Sequence, residues 1–177
     1  MMWYVIGIVV ILLVVIISIY NSIKIAKIKV EEGLSGIDVA LSKRYDTLIN
    51  LVEVVKGYAK HETETLEKVI EARKDMSIKE KANIGNQYGQ TQSKLFAIAE
   101  GYPDLKANTN FLQLQNSIVD VEEHLQAARR LYNANVASYN EKLVVFPSNM
   151  IASMMNESKV EYFQTDEESK NNVSIAI

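Results

Sequence analysis

The 177-residue chain contains no cysteine. Disulfides, thiolate nucleophiles, cysteine-ligated zinc and acyl-cysteine lipid anchors are thereby excluded, although a cysteine-free chain suits either redox compartment. Histidine is almost absent too, with only His61 and His124. HETE at 61–64 lacks the second histidine of a zinc-binding H-E-x-x-H helix, since position 65 is Thr65. The Glu-x-x-His signature of di-iron bundles needs an acid three residues before each histidine, and Tyr58 and Val121 stand there instead. G-x-S-x-G, P-loop and G-x-G-x-x-G patterns are missing as well. The expectation is therefore a non-enzymatic protein with no catalytic, cofactor or metal site. A net charge of −3 supplies no basic surface and argues against nucleic acid as a partner. Proline occurs twice, at Pro103 and Pro147, so no proline interrupts a helix in the first hundred residues.

What the chain does have is an uncharged run, WYVIGIVVILLVVIISIY, from Trp3 to Tyr20. As a helix it covers about 26 Å, close to the hydrocarbon thickness of a bilayer. Trp3 and Tyr4 stand at one end and Tyr20 at the other, as in an aromatic belt. A cleaved signal peptide would have a basic start and a small-residue cleavage site; Met1-Met2-Trp3 is uncharged and no A-x-A follows. An interfacial helix would be two-faced, and this run is apolar all round. The reading is a retained membrane anchor. Lys24, Lys27 and Lys29 follow it and no basic residue precedes it. The positive-inside rule then places the N-terminus outside and the C-terminal domain in the cytoplasm.

Beyond the anchor, Gly33 and Gly36 in EEGLSG predict a first helix break. A helix over 36–73 follows, with a one-faced stripe at Ile37, Leu41, Leu48, Val52, Val55, Ala59, Leu66 and Val69. Gly85 and Gly89 mark a loop over 74–90, and TQSKLFAIAEGY supplies a short helix that Pro103 ends. Asn108, Thr109 or Asn110 can cap the next helix, and Gln113 stands at capping-box spacing from Asn110. That helix repeats every seven residues through Phe111, Ile118, Leu125, Tyr132, Tyr139 and Phe146. The amides Gln113, Gln115 and Asn116 either set register between helices or line a polar pocket.

These runs resemble the LemA proteins of bacteria. The resemblance is carried by YNS (20–22), GIDVALSKRYD (36–46), NLVEVVKGYAKHETETL (50–66), EAR (71–73), YPDLKANTNFLQLQN (102–116) and FPSNMIA (146–152). It implies an all-α protein, a single N-terminal transmembrane helix followed by a long antiparallel helical bundle, with no established enzymatic role. Family members commonly have a proline where this chain reads TLIN at 47–50, so this helix is expected to run straighter. The implied organisation is an anchor and juxtamembrane helix over 1–30, a bundle over 31–157, and an acidic tail with a short extended end over 158–177.

Two later segments suggest contacts. In SNMIASMMN, Ser148 can cap a short helix whose face carries Met150, Ile151, Met154 and Met155, and methionine faces adapt to irregular partners. It either closes the bundle or meets another protein. In VSIAI, Val173, Ile175 and Ile177 alternate with small residues, which suits a strand joining an edge or a frayed end. The short third helix covers only about three turns of its long neighbours, which leaves apolar seam for an interface unless the first helix extends down. The expectation is a membrane-anchored scaffold at the bacterial cell envelope that forms a homo-oligomer or binds envelope partner proteins. The alternative is a tethered sensor or receptor with a ligand or partner held in the bundle.

Overall fold

The computed structural model describes residues 2–59 and 85–163. Its elements are α1 (Met2–Lys56), α2 (Gly85–Glu100), α3 (Pro103–Lys106), α4 (Thr109–Val144) and α5 (Ser148–Met154). The fold is all-α, and no strand occurs among the described residues.

The break expected at EEGLSG does not form. α1 is one helix of 55 residues, about 80 Å long. A helical glycine costs only about 1 kcal/mol, which tertiary packing overrides. Gly33 is buried, and a Cβ there would stand 3.1 Å from Tyr132 Cα and 3.3 Å from Asn135 Nδ2. Its missing side chain is what lets α4 come this close. The helix also runs unbroken through Thr47, whose hydroxyl donates to the Lys43 carbonyl at 2.9 Å.

Two other boundaries differ from expectation. The helix read as continuing to Arg73 stops at Lys56, where Gly57 and Tyr58 turn and the Tyr58 and Ala59 amides both bond back to the Val55 carbonyl. Leu66, Val69 and His61 lie outside the described residues. Gly85 to Gln90, read as loop, belong to α2. Tyr88 explains the difference. It is fully buried, 3.8 Å beneath the Arg44 guanidinium and edge-on to Tyr45, and this anchors a turn that glycine alone would fray.

The described contacts fall into two compact units, and α1 and α4 contribute to both. One joins residues up to Gly36 to Arg129–Phe163. Its core is Ile23, Ala26 and Val30 from α1, Tyr132, Val136 and Tyr139 from α4, and Ala152 from α5. Contacts pair Ser22 with Lys142, Lys29 with Asn135 and Gly33 with Tyr132, so α1 and α4 run antiparallel here. The other unit spans the described part of Ile37–Ala128. Leu48, Leu51, Val52 and Val55 meet Tyr88, Leu95, Leu105, Phe111 and Ile118 in its core. Arg44 pairs with Glu122, and Tyr58 accepts from Asn108, again in antiparallel order.

The seven-residue seam is buried at Phe111, Ile118, Leu125, Tyr132 and Tyr139. Phe146 leaves it. α4 ends at Val144, and two residues past the end the helical period no longer sets side-chain direction, so Phe146 is 75% exposed. Asn108 is the N-cap of α4, its Oδ1 accepting from the Asn110 and Phe111 amides at 2.8 and 3.3 Å. With the cap there, the Asn110–Gln113 capping box does not form. Ser148 is not the cap of α5 either: Pro147 holds that position, and the Ser148 hydroxyl turns back to the Val145 carbonyl at 2.8 Å.

Candidate functional site

The stretch YNANVASYN places Tyr132-Asn133 seven residues before Tyr139-Asn140. Seven residues are two helical turns, so both pairs share one flank of α4. The tyrosine rings enter the seam and the asparagines stand beside it, 7% and 1% exposure marking Tyr132 and Tyr139 as core.

The segment that meets them follows α5. Asn156 adopts a left-handed φ of 53°, while the Asn156 amide bonds to the Ser153 carbonyl and the Glu157 amide to the Ala152 carbonyl, both at 3.2 Å. This is a Schellman C-cap, with asparagine in the place glycine usually takes. It redirects the chain into a strap, Glu157 to Phe163, without regular secondary structure.

Each asparagine grips one strap residue through two bonds. Asn140 donates Nδ2 to the Val160 carbonyl and accepts from the Val160 amide, both at 2.9 Å. Asn133 donates to the Phe163 carbonyl at 3.1 Å and accepts from its amide at 2.8 Å. The Tyr132 hydroxyl donates to the Glu161 carbonyl at 3.1 Å. Glu157, Val160 and Phe163 are partly buried while the residues between them are exposed. A three-residue contact period is that of a polyproline-II segment. The Phe163 ring ends the strap, edge-on to Tyr132 and 5.1 Å from the Arg129 guanidinium.

Glu157 starts it. Its carboxylate accepts from Lys24 at 3.0 Å, Lys27 at 2.6 Å and the Tyr139 hydroxyl at 2.8 Å. The Glu157 side chain is 6% exposed, while the two lysines are 43% and 41% exposed. The hydrogen bond from Lys27 is the chief cause that lowers its pKa to about 2; burial opposes it, and Lys24 and Tyr139 add to it. Burial raises the Tyr139 hydroxyl to about 12, and its bond to Glu157 raises it further. The bond to Glu157 likewise raises Lys24.

The residues singled out in the sequence separate accordingly. Lys24 and Lys27 join the Glu157 cluster, and Lys29 receives the Asn135 amide on its carbonyl at 2.7 Å. Trp3, Tyr4 and Tyr20 are exposed along α1. Met150 and Met154 are exposed, whereas Ile151 and Met155 are partly covered. Val173, Ile175 and Ile177 lie outside the described residues. Of the amides, Asn110 and Gln113 line an open cleft of about 500 Å³ with Asn50, Glu53 and Ser117. Among the described residues no three His, Asp or Glu side chains converge as metal ligands. His124 is exposed, with Nδ1 2.6 Å from the Asp120 carbonyl.

Sequence reading missed Glu157, Asn133 and Asn140. The signal for two of them was present in the repeated Tyr-Asn pair. Because these asparagines hold backbone, the Asn133→Ala/Asn140→Ala double variant should free the strap without disturbing the seam. Hydrogen exchange checks it: the Val160 and Phe163 amides should be slower than their strap neighbours in the native chain and lose that protection in the variant.

The LemA family model matches residues 33–176. Protein LemA of Metamycoplasma hominis is 29% identical over 144 residues, which is 78% of this chain and 66% of that protein. Magnetosome protein MamQ of Magnetospirillum gryphiswaldense is 30% identical over 76 residues, 43% of this chain and 28% of that protein. Magnetosome protein MamQ 1 of Paramagnetospirillum magneticum is 29% identical over 77 residues, with 44% and 28% covered. The chain thus spans just under two thirds of the first relative's length and little over a quarter of the others'. With a family model matched across most of its length, this chain belongs to the LemA family.

Proposed function

We propose that this protein is a single-pass membrane scaffold: α1 anchors it, the helical bundle presents an interaction surface, and copies assemble with one another. The observation that carries the reading is the contrast along α1. Every side chain from Met2 to Ser18 is exposed, although the run is almost wholly apolar. From Ile23 onward the same helix buries one face at Ile23, Ala26, Val30, Ile37 and Leu41. A bare apolar segment continuous with a packed helix needs a second solvent for that segment, and a bilayer fits its length. Lys24, Lys27 and Lys29 favour a cytoplasmic bundle. Mass spectrometry should find the N-terminus before Trp3; a mature start beyond Tyr20 rejects the anchor. Protease added to sealed cells should leave the bundle intact.

For self-assembly the methionine face is the better candidate, and the α4 seam the poorer one. α1 lies along Tyr132 to Tyr139, so that part of the α4 seam is not spare. The exposed apolar residues sit beyond it, at Val144, Val145, Phe146, Met150 and Met154, the last 83% exposed. Such a cluster marks an interface, and tethering raises the effective concentration of copies. Light scattering in mild detergent should give a particle several times the 20.0 kDa chain; a monomer alone rejects self-assembly. The cleft lined by Asn50, Glu53, Asn110 and Gln113 favours the receptor reading instead, and a co-purifying ligand lost in Asn110→Leu would support it.

A further inference from the structure

Four lysines lie near the end of the apolar run, and they face two ways. Lys24 and Lys27 are held by Glu157. Lys29 and Lys142 instead line a groove of about 520 Å³ between α1 and α4. The groove follows from spacing. Ser18, Ser22, Ile25 and Lys29 step by four, three and four along one face of α1, and Asn135, Ser138 and Lys142 by three and four along α4. Its lining residues include two ammonium groups, three hydroxyls and two amides, and none is acidic. Lys142 donates at 2.8 Å to the neutral Ser22 hydroxyl. Glu157 is thus engaged by the other pair, and the lining of the groove itself carries two cations and no carboxylate.

Its height matters as much as its charge. Ser18 belongs to the apolar run, Ser22 lies about 3 Å beyond Tyr20, and helical side chains lean toward the N-terminus, so the Lys29 stem leans back toward Ser22. That places the groove at the headgroup layer, with the exposed apolar face of α1 directly below it. We infer that the Lys29–Lys142 groove binds a phosphate oxyanion, the headgroup phosphate of an anionic membrane phospholipid, whose acyl chains lie along the bare N-terminal stretch of α1. The cations supply attraction and the serine hydroxyls and Asn21 amide supply donors, as phosphate recognition requires. The inference rests on the membrane-anchor reading.

The full chain in mild detergent is titrated with short-chain phosphatidylglycerol, short-chain phosphatidylcholine and inorganic phosphate, and adducts are counted by native mass spectrometry. Phosphatidylglycerol should bind, and Lys29→Gln/Lys142→Gln should weaken it at least about tenfold, since each basic residue near a lipid surface contributes a several-fold gain. Lys159→Gln removes one positive charge from the exposed strap, outside the groove, and should leave binding unaltered. Ser138→Leu fills the groove without changing charge and should also abolish binding, which separates site loss from lost attraction. Helical circular dichroism melts confirm that each variant folds. Equal binding of the two lipids, or equal loss in Lys159→Gln, overturns the site. Inorganic phosphate binding as tightly as phosphatidylglycerol overturns the lipid source and leaves an oxyanion site. Flotation of the chain with phosphatidylcholine vesicles is the separate check: a chain that floats but ignores headgroup charge fails here alone, and one that does not float fails the anchor.

Discussion

Leu125→Asp should severely destabilise the bundle. Leu125 is 0% exposed at the middle of the buried run Phe111, Ile118, Leu125, Tyr132, Tyr139. An ionised carboxylate there loses its hydration without a partner, and removing the leucine leaves a cavity as well. Together these cost about 4 kcal/mol or more, which lowers the melting temperature on the order of 10 °C for a chain of this size. The cation one turn away, Arg129, is already engaged over the Phe163 ring. Glu122, on the turn before, is paired with Arg44 and adds repulsion if the new charge turns that way. Leu125→Met keeps volume and polarity and should cost under about 1.5 kcal/mol. Paired thermal melts of the two variants decide: equal melting temperatures would mean that the seam is not a packed core.

That seam was legible because its signal is periodic and self-consistent. A residue every seventh position from Phe111 to Tyr139 can only be one face of a helix, and the structure buries each of them. The apolar run from Trp3 to Tyr20 was legible for a similar reason, since length and lack of charge are local properties. Helix boundaries were not. Gly33 looks like a breaker by propensity, yet its role is set by Tyr132, about a hundred residues away, whose Cα needs the space. Gly57 ends α1 although the apolar stripe continues beyond it, and periodicity carries no information about where a helix stops. The strap was least legible of all. Its bonds join side-chain amides to backbone carbonyls and amides, which have no sequence pattern, and the lysine partners of Glu157 stand 130 and 133 residues before it. Only the Tyr-Asn repeat hinted at it, hidden because the tyrosines already satisfied the heptad.

Glu157→Lys should release the strap while leaving both long helices folded. The native carboxylate accepts three bonds, from Lys24, Lys27 and Tyr139, and is nearly sealed from water. A lysine there sets a third ammonium against two others and leaves the buried Tyr139 hydroxyl without its acceptor, so the segment swings away. Lys24 and Lys27 are each about two-fifths exposed and return to solvent, which confines the damage to the strap. The milder Glu157→Gln keeps an acceptor and the shape but loses the charge, and should cost about 1–3 kcal/mol of strap docking. Acid should reproduce it. The folded carboxyl titrates at about 2 against an ordinary 4.5, so between those values the released strap binds more protons than the docked one. Docking is therefore complete above the ordinary value and lost as pH falls from about 4.5 toward 2. Hydrogen exchange at the Val160 and Phe163 amides reads this directly. Protection in the native chain should decline across that window, and in Glu157→Gln it should start lower and stay flat. A native chain whose strap amides keep full protection down to pH 2, or a Glu157→Lys variant with unchanged exchange, would show that the asparagines alone hold the strap.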